Sequence, residues 1–125
     1  MILVDSSICV AFLRKNLSEE FTHRFSELVL KDELATNVVI WAELYGGVRG
    51  QREDTEFQNL ISLSRMLQFT DDCWRLTAEI NRTCVRKGVN VPLSDIQIQA
   101  CAKHYQIDLW HQDRHFDLIQ EALRP

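Results

Sequence analysis

The sequence predicts an α/β fold with a central, mostly parallel sheet and helices on both of its faces. Three observations lead there. Short apolar runs that suit buried strands alternate along the chain with longer stretches of helical periodicity. The first such run, Ile2, Leu3 and Val4, is apolar throughout, as a fully buried strand requires. No proline-rich linker, internal repeat or low-complexity tract divides the 125 residues, a length that supports one core, so residues 1–125 are expected to form a single domain.

The opening strand ends in Asp5 rather than in the Gly, Asn or Pro of an ordinary turn. Asp5 or Ser6 can cap a short helix over Ser7 to Leu13; Asp5 can equally be an acid or metal ligand at the carboxyl end of the strand, where open α/β sheets place their sites. The segment LSEEFTHRFSELVLK reads as a helix with Ser18 as N-cap, burying Phe21, Phe25, Leu28 and Val29 on one face. Leu34 to Thr36 offers a strand, and Asn37 is placed to cap the helix that carries Glu43. GGVRGQ breaks that helix and is the most loop-like stretch of the chain. Glu56 to Met66 reads as a helix, MLQFT as a strand, and Asp71 or Asp72 as the cap of a long helix that turns Cys73, Leu76, Ile80 and Cys84 inward and stops at Gly88. NVPLSD leads into a helix with Ser94 as N-cap and Asp95 in its first turn. Ile107 to Trp110 forms the last strand, and DRHFDLIQEAL the closing loop and helix.

Composition excludes several classes. A hydrophobic content of 46% with 26% charged residues fits an ordinary soluble protein. No segment approaches the stretch of about 20 apolar residues a membrane helix needs, and no basic region precedes the first apolar run, so a cytoplasmic protein without a membrane partner is expected. Cys9, Cys73, Cys84 and Cys101 lie far apart with no C-x-x-C pair, which points to reduced, buried thiols. The net charge of -4 argues against holding nucleic acid by bulk electrostatics but not against an enzyme that acts on it. Arg49 and Arg52 flank the glycine-rich stretch, and Arg82, Arg86 and Lys87 share a helix end; either group can be a phosphate contact or a solvated face.

The carboxylates can then be placed together. In a parallel sheet, Asp5 after the first strand, Asp113 after the last and Asp95 at the head of its helix fall on the edge where ligands bind, and Glu43 can reach the same edge. Taken singly, each has an ordinary explanation: a cap, a first-turn helix acid, a solvated side chain, a turn residue. Together, four carboxylates cannot all stay ionised side by side without a cation. Mg²⁺ or Mn²⁺ suits oxygen ligands and can activate a water, a chemistry that fits phosphodiester hydrolysis. No G-x-G-x-x-G, P-loop, H-E-x-x-H or G-x-S-x-G motif proposes another cofactor or reaction.

MILVDSS at the start, AELYGG in the middle and PLSDIQIQACAKHYQIDLWHQDRHFDLI at the end resemble a PIN-domain ribonuclease, specifically a VapC-type toxin of a bacterial toxin–antitoxin pair. The family's first acid and the hydroxyl residue after it match Asp5 and Ser6; its helix acid in E-L-x-x-G matches Glu43, with Leu44 and Gly47 in step. Its third acid matches Asp95, and its fourth, in D-x-x-F, matches Asp113 with Phe116. The resemblance runs over nearly the whole chain. It implies a PIN-like three-layer α/β/α sandwich and Mg²⁺- or Mn²⁺-dependent endoribonuclease activity. Asp5, Glu43, Asp95 and Asp113 would be catalytic and metal-ligating, with Ser6 supporting. It further implies a homodimer and a cognate VapB-type antitoxin as partner, with RNA as substrate.

The chain departs from that pattern at His111, where many relatives place Thr or Ser, and at Gln97 and Gln99, where they carry apolar or small residues. His111 either substitutes through its ring nitrogen or leaves the site weaker. Neither His111 nor His115 is counted among the metal ligands, because an oxygen-rich site does not need them. Arg114, beside Asp113, is a candidate RNA contact or surface ion pair, and Arg49 and Arg52 are candidates at an RNA entrance formed by the glycine-rich stretch, where Gly47 and Gly50 let backbone approach phosphate. Trp41 is expected to pack in the core. Two alternatives stand beside the toxin: a PIN nuclease of RNA or DNA housekeeping, and a catalytically impaired PIN-like binding module.

Overall fold

The computed structural model describes residues 1–125. Four strands form one sheet: β1 (Ile2–Val4), β2 (Leu34–Asn37), β3 (Arg65–Leu67) and β4 (Asp108–Trp110), in the order β3-β2-β1-β4. Every pairing is parallel, with Leu3 opposite Ala35 on one side and Leu109 on the other. Seven helices cover the sheet in an α/β/α sandwich: α1 (Ser6–Leu13), α2 (Glu19–Leu30), α3 (Val38–Gly46), α4 (Gly50–Leu63), α5 (Asp71–Arg86), α6 (Leu93–Tyr105) and α7 (Arg114–Ala122). The three-layer α/β/α architecture that the sequence implies is thus present, with a sheet that is wholly parallel.

Strand order decides where a site can form. The chain runs from β1 outward through β2 to β3, then returns to lay β4 on the opposite side of β1. Loops leaving β1 and β4 therefore diverge at the carboxyl edge and open a crevice between them, the position at which parallel sheets bind ligands. The core beneath is continuous. Leu3, Ile8, Phe25, Leu34, Ile40, Phe57, Ile96, Ile98, Phe116 and Ile119 are all buried, drawn from strands and helices alike. All four cysteines are free and buried, as expected of small apolar side chains. No helix is long and apolar enough to cross a membrane.

Several boundaries differ from the sequence expectation, each for a local reason. Helix α4 starts at Gly50 rather than Glu56, because Glu53 reaches back to accept the Arg49 backbone N–H at 3.0 Å and Gly50 adopts φ +79°, a conformation open to glycine. The loop after α3 shrinks accordingly to Gly47–Arg49. Thr70, not Asp71 or Asp72, caps α5, its hydroxyl accepting the Cys73 N–H. Helix α6 begins after Pro92, so Ser94 lies inside the first turn and no side chain caps it. Strand β3 ends at Leu67, short of the expected Thr70, and lies at the sheet's edge with Arg65 and Met66 exposed. Trp41 is not in the core: it is 38% exposed and packs edge-to-face on Tyr45. Phe21 is likewise partly exposed, while Phe25 and Leu28 carry the buried face of α2.

The junction of β2 and α3 holds Glu43 in place. Asn37 is fully buried and its Oδ1 accepts the Ile40 N–H at 2.9 Å, capping α3. Asn37→Ala removes that cap and is expected to cost about 1–2 kcal/mol in urea unfolding; a loss within error of zero would show that packing alone sets the start of α3.

Candidate active site

Asp5 is placed by backbone before any side chain acts. Its N–H donates to the Trp110 carbonyl at 3.0 Å, one residue beyond the β1–β4 ladder, which sets it at the mouth of the crevice. It is 4% exposed and serves as the N-cap of α1: Oδ2 accepts the Ser7 hydroxyl at 2.7 Å and, at 3.4 Å, the Ser7 N–H. Both capping bonds use Oδ2, so cap and site acid are compatible roles for one carboxylate. Glu43 stands in the second turn of α3, and its Oε1 accepts the Ser6 hydroxyl at 3.3 Å. The hydroxyl of Ser6 thus fixes Glu43 rather than Asp5. Ser7, which the sequence reasoning passed over, holds Asp5.

Asp95 lies in the first turn of α6 and is buried, while Asp113 caps α7 through the His115 N–H, accepted at 2.9 Å by Oδ1. The His115 ring sits between these two acids. Its Nδ1 is 3.0 Å from Asp95 Oδ2 and 3.2 Å from Asp113 Oδ1. One ligand atom each from Asp95, Asp113 and His115 lies within 4.8 Å of the other two, an arrangement able to hold a metal ion. The sequence reasoning left His115 out. The available signal was positional: a residue two places after a helix N-cap returns to the same helix end as the cap.

Glu43 and Asp95 sense the neighbouring acids. Burial is the first cause that pushes the Glu43 carboxyl above its usual range, followed by the negative charges of Asp5 and Asp95, against a lowering by the Ser6 hydrogen bond and with Asp113 adding a smaller upward push. Asp95 is also raised, first by burial; the His115 hydrogen bond opposes this, and Asp113 and Asp5 add to it. Asp5 and Asp113 are N-caps and Asp95 is in a first turn, so three helix dipoles partly offset the negative charge. No Lys or Arg pairs with any of the four; the nitrogen that meets Asp95 and Asp113 is Nδ1 of His115. Asp5 and Glu43 stand outside the three-atom group of Asp95, Asp113 and His115 and are linked to it through their charge; the acids, short of positive charge, offer oxygen donors that fit a hard divalent cation.

The remaining sequence candidates divide. His111 does not reach the acids. Its Nε2 faces Asp117 at 3.7 Å, its ring packs on Phe116 and its buried Nδ1 has no partner, so it takes over no hydroxyl's hydrogen bonding in the cluster. Arg49 caps α4 through its backbone, Arg52 projects into solvent beside Glu56, and Arg114 is exposed at the start of α7. Arg14 was not anticipated. It binds Glu53 at 2.8 and 3.2 Å and the Gly47 carbonyl at 3.3 Å, so it ties α1 to the short loop that starts one turn after Glu43. Arg14, Lys15, Arg49 and Arg52 border a depression of about 330 Å³ there.

Comparison with known proteins places this geometry in context. A family model described as PIN domain matches residues 2–122. No curated protein sequence matches significantly. Among solved structures, FitAcB from Neisseria gonorrhoeae is 23% identical with a TM-score of 0.79, covering 96% of this chain and 94% of its own. VapBC2 from Rickettsia felis, bound to a promoter DNA fragment, is 19% identical with a TM-score of 0.78, covering 91% and 89%. A toxin–antitoxin complex from Klebsiella pneumoniae is 15% identical with a TM-score of 0.70, covering 91% and 88%. At these identities the likeness is one of fold.

Upward shifts mean that the folded protein keeps protons which the unfolded chain has already released. Without metal, stability should therefore fall as pH rises from the ordinary carboxylate range through the raised values of Glu43 and Asp95. Glu43→Gln removes one charge and keeps an acceptor for Ser6; it should raise the Tm of the metal-free protein at neutral pH and flatten that decline, as read by calorimetry. In the wild type, Mg²⁺ or Mn²⁺ at a hundred times its Kd should add about 2.7 kcal/mol. A lower Tm for metal-free Glu43→Gln at neutral pH would contradict the crowding.

Proposed function

Because the chain belongs to the PIN-domain family, we propose that it is a divalent-metal-dependent endoribonuclease and the toxin of a toxin–antitoxin pair. The observation that carries the nuclease reading is the gathering of Asp95, Asp113 and His115 within 4.8 Å, with Glu43 and Asp95 raised in part by the charges of neighbouring acids, Asp5 among them. The toxin reading is supported by the motifs the chain shares with VapC-type proteins, and by the fold it shares with a toxin–antitoxin complex and with VapBC2. Its partners would be a VapB-type antitoxin and a second copy of the chain, and its place of action the cytoplasm.

In this mechanism Asp5, Glu43, Asp95 and Asp113 would hold Mg²⁺ or Mn²⁺. When bound, the cation supplies neutralising charge, an acidified water for in-line attack and support for the leaving oxygen. The protein's own residues do the positioning. Asp5, fixed by Ser7, and Asp95, packed at the head of α6, form the buried floor. Glu43 and Asp113 form the solvent-facing wall where a phosphodiester enters, with Ser6 restraining Glu43. Arg49, Arg52 and Arg114 would guide the RNA backbone, and unpaired loops, whose phosphates can enter a narrow crevice, are the favoured substrates.

Purified protein, freed of any antitoxin, should cut total cellular RNA into discrete fragments with Mg²⁺ or Mn²⁺ and stop in EDTA. Asp5→Asn should lower the rate by roughly 10³-fold, the equivalent of the several kcal/mol a catalytic cation contributes. Intact RNA with folded wild type under both metals would overturn the nuclease and favour a binding module. Replacing Arg49 and Arg52 by Ala should weaken RNA binding and reduce its salt slope by about 1 for each phosphate no longer neutralised; an unchanged slope would remove both from the substrate path.

A further inference from the structure

The His115 imidazole brings a side-chain nitrogen between Asp95 and Asp113, and the proposed mechanism gives it no task. Two neighbours fix its position. Asp113 caps α7 through the His115 N–H, so the acid and the imidazole are presented at the same helix end, and Asp95 approaches the ring from α6. The ring is about one-third exposed at 34%, so Nδ1 faces the carboxylates while the ring borders solvent.

The spacing suits a metal's coordination shell as well as a hydrogen bond. Nδ1 lies 3.0 Å from Asp95 Oδ2 and 3.2 Å from Asp113 Oδ1. Adjacent corners of an octahedron with metal–ligand bonds of about 2.1 Å are about 3.0 Å apart. With Nδ1 protonated, the imidazole hydrogen-bonds these carboxylates; with the proton on Nε2, the Nδ1 lone pair and the two carboxylate oxygens all face one small volume that a cation can occupy. Neither Lys nor Arg supplies one, and His111 turns its ring toward Asp117.

We propose that His115 is a metal ligand, its Nδ1 joining Asp95 and Asp113 to make a mixed nitrogen–oxygen centre that selects Mn²⁺ over Mg²⁺. The inference rests on the reading that the four acids hold a cation, and adds to it the identity of one further ligand and a metal preference. The preference follows from ligand chemistry. Mg²⁺ favours oxygen donors and gives up water reluctantly, whereas an imidazole nitrogen suits transition metals better.

The test reads the ligand directly. Wild-type protein is loaded with Mn²⁺ and studied by pulsed electron paramagnetic resonance, once unlabelled and once grown with ¹⁵N-histidine. Nitrogen coupling that changes with the label and disappears in His115→Ala is the expected result. Mn²⁺ affinity should fall about tenfold in His115→Ala, with a smaller fall for Mg²⁺ measured by competition. The labelled wild type decides the matter even where the variant is unstable. Mn²⁺ that binds, is released by Asp113→Asn and shows no histidine coupling would overturn the ligand role and leave the acid site standing. Wild type that binds no Mn²⁺ would overturn both the ligand role and the acid-site reading beneath it.

Discussion

The backbone hydrogen bond from Asp5 N–H to the Trp110 carbonyl continues the pairing of β1 with β4 to the very edge of the sheet, and the arrangement of the crevice follows from it. It joins the two ends of the chain. Beyond this bond each strand turns into a helix, and Asp5 and Asp113 each become the cap of the helix that follows. Because β4 lies on the far side of β1 from β2, the two exits diverge and leave room between them for Asp95 and Glu43. Parallel pairing in this order sets the distance between acids that no local sequence preference could bring together.

That arrangement has an energetic cost which the structure reduces without removing. Helix dipoles favour the carboxylates at three of the four positions. Two neighbouring serines divide the task of orientation, Ser7 to Asp5 and Ser6 to Glu43. His115 bridges Asp95 and Asp113. Glu43 and Asp95 nevertheless remain raised above the ordinary carboxylate range. Functional sites commonly retain strain of this kind, which a bound ligand relieves. The core compensates through ordinary burial, with Phe25, Phe57 and Phe116 among its largest enclosed side chains.

Features governed by near neighbours were legible in the sequence. Ile2–Val4 announced its strand by composition, Ser18 and Asn37 announced their caps, and alternation of strands and helices announced the sheet. Features governed by distant contacts were not. The start of α4 at Gly50 depends on Glu53, itself held by Arg14 from α1. Trp41 reads as core by hydrophobicity, but its face of α3 meets solvent. His115 looked like a surface imidazole because nothing local reveals that Asp95 arrives from another helix. The four acids stood out because a parallel sheet would carry them to one edge and because their order resembles a known pattern; in the fold, Asp5 and Asp113 cap the helices that leave adjacent strands, and Asp95 opens α6.

The most direct measurement is a crystal structure of the protein soaked in Mn²⁺, with the ion located by its anomalous scattering. The account predicts a peak bounded by the carboxylates of Asp5, Glu43, Asp95 and Asp113, at bonding distance from at least two of them. An ordered, accessible crevice with no peak, or a peak confined to another part of the surface, would contradict it.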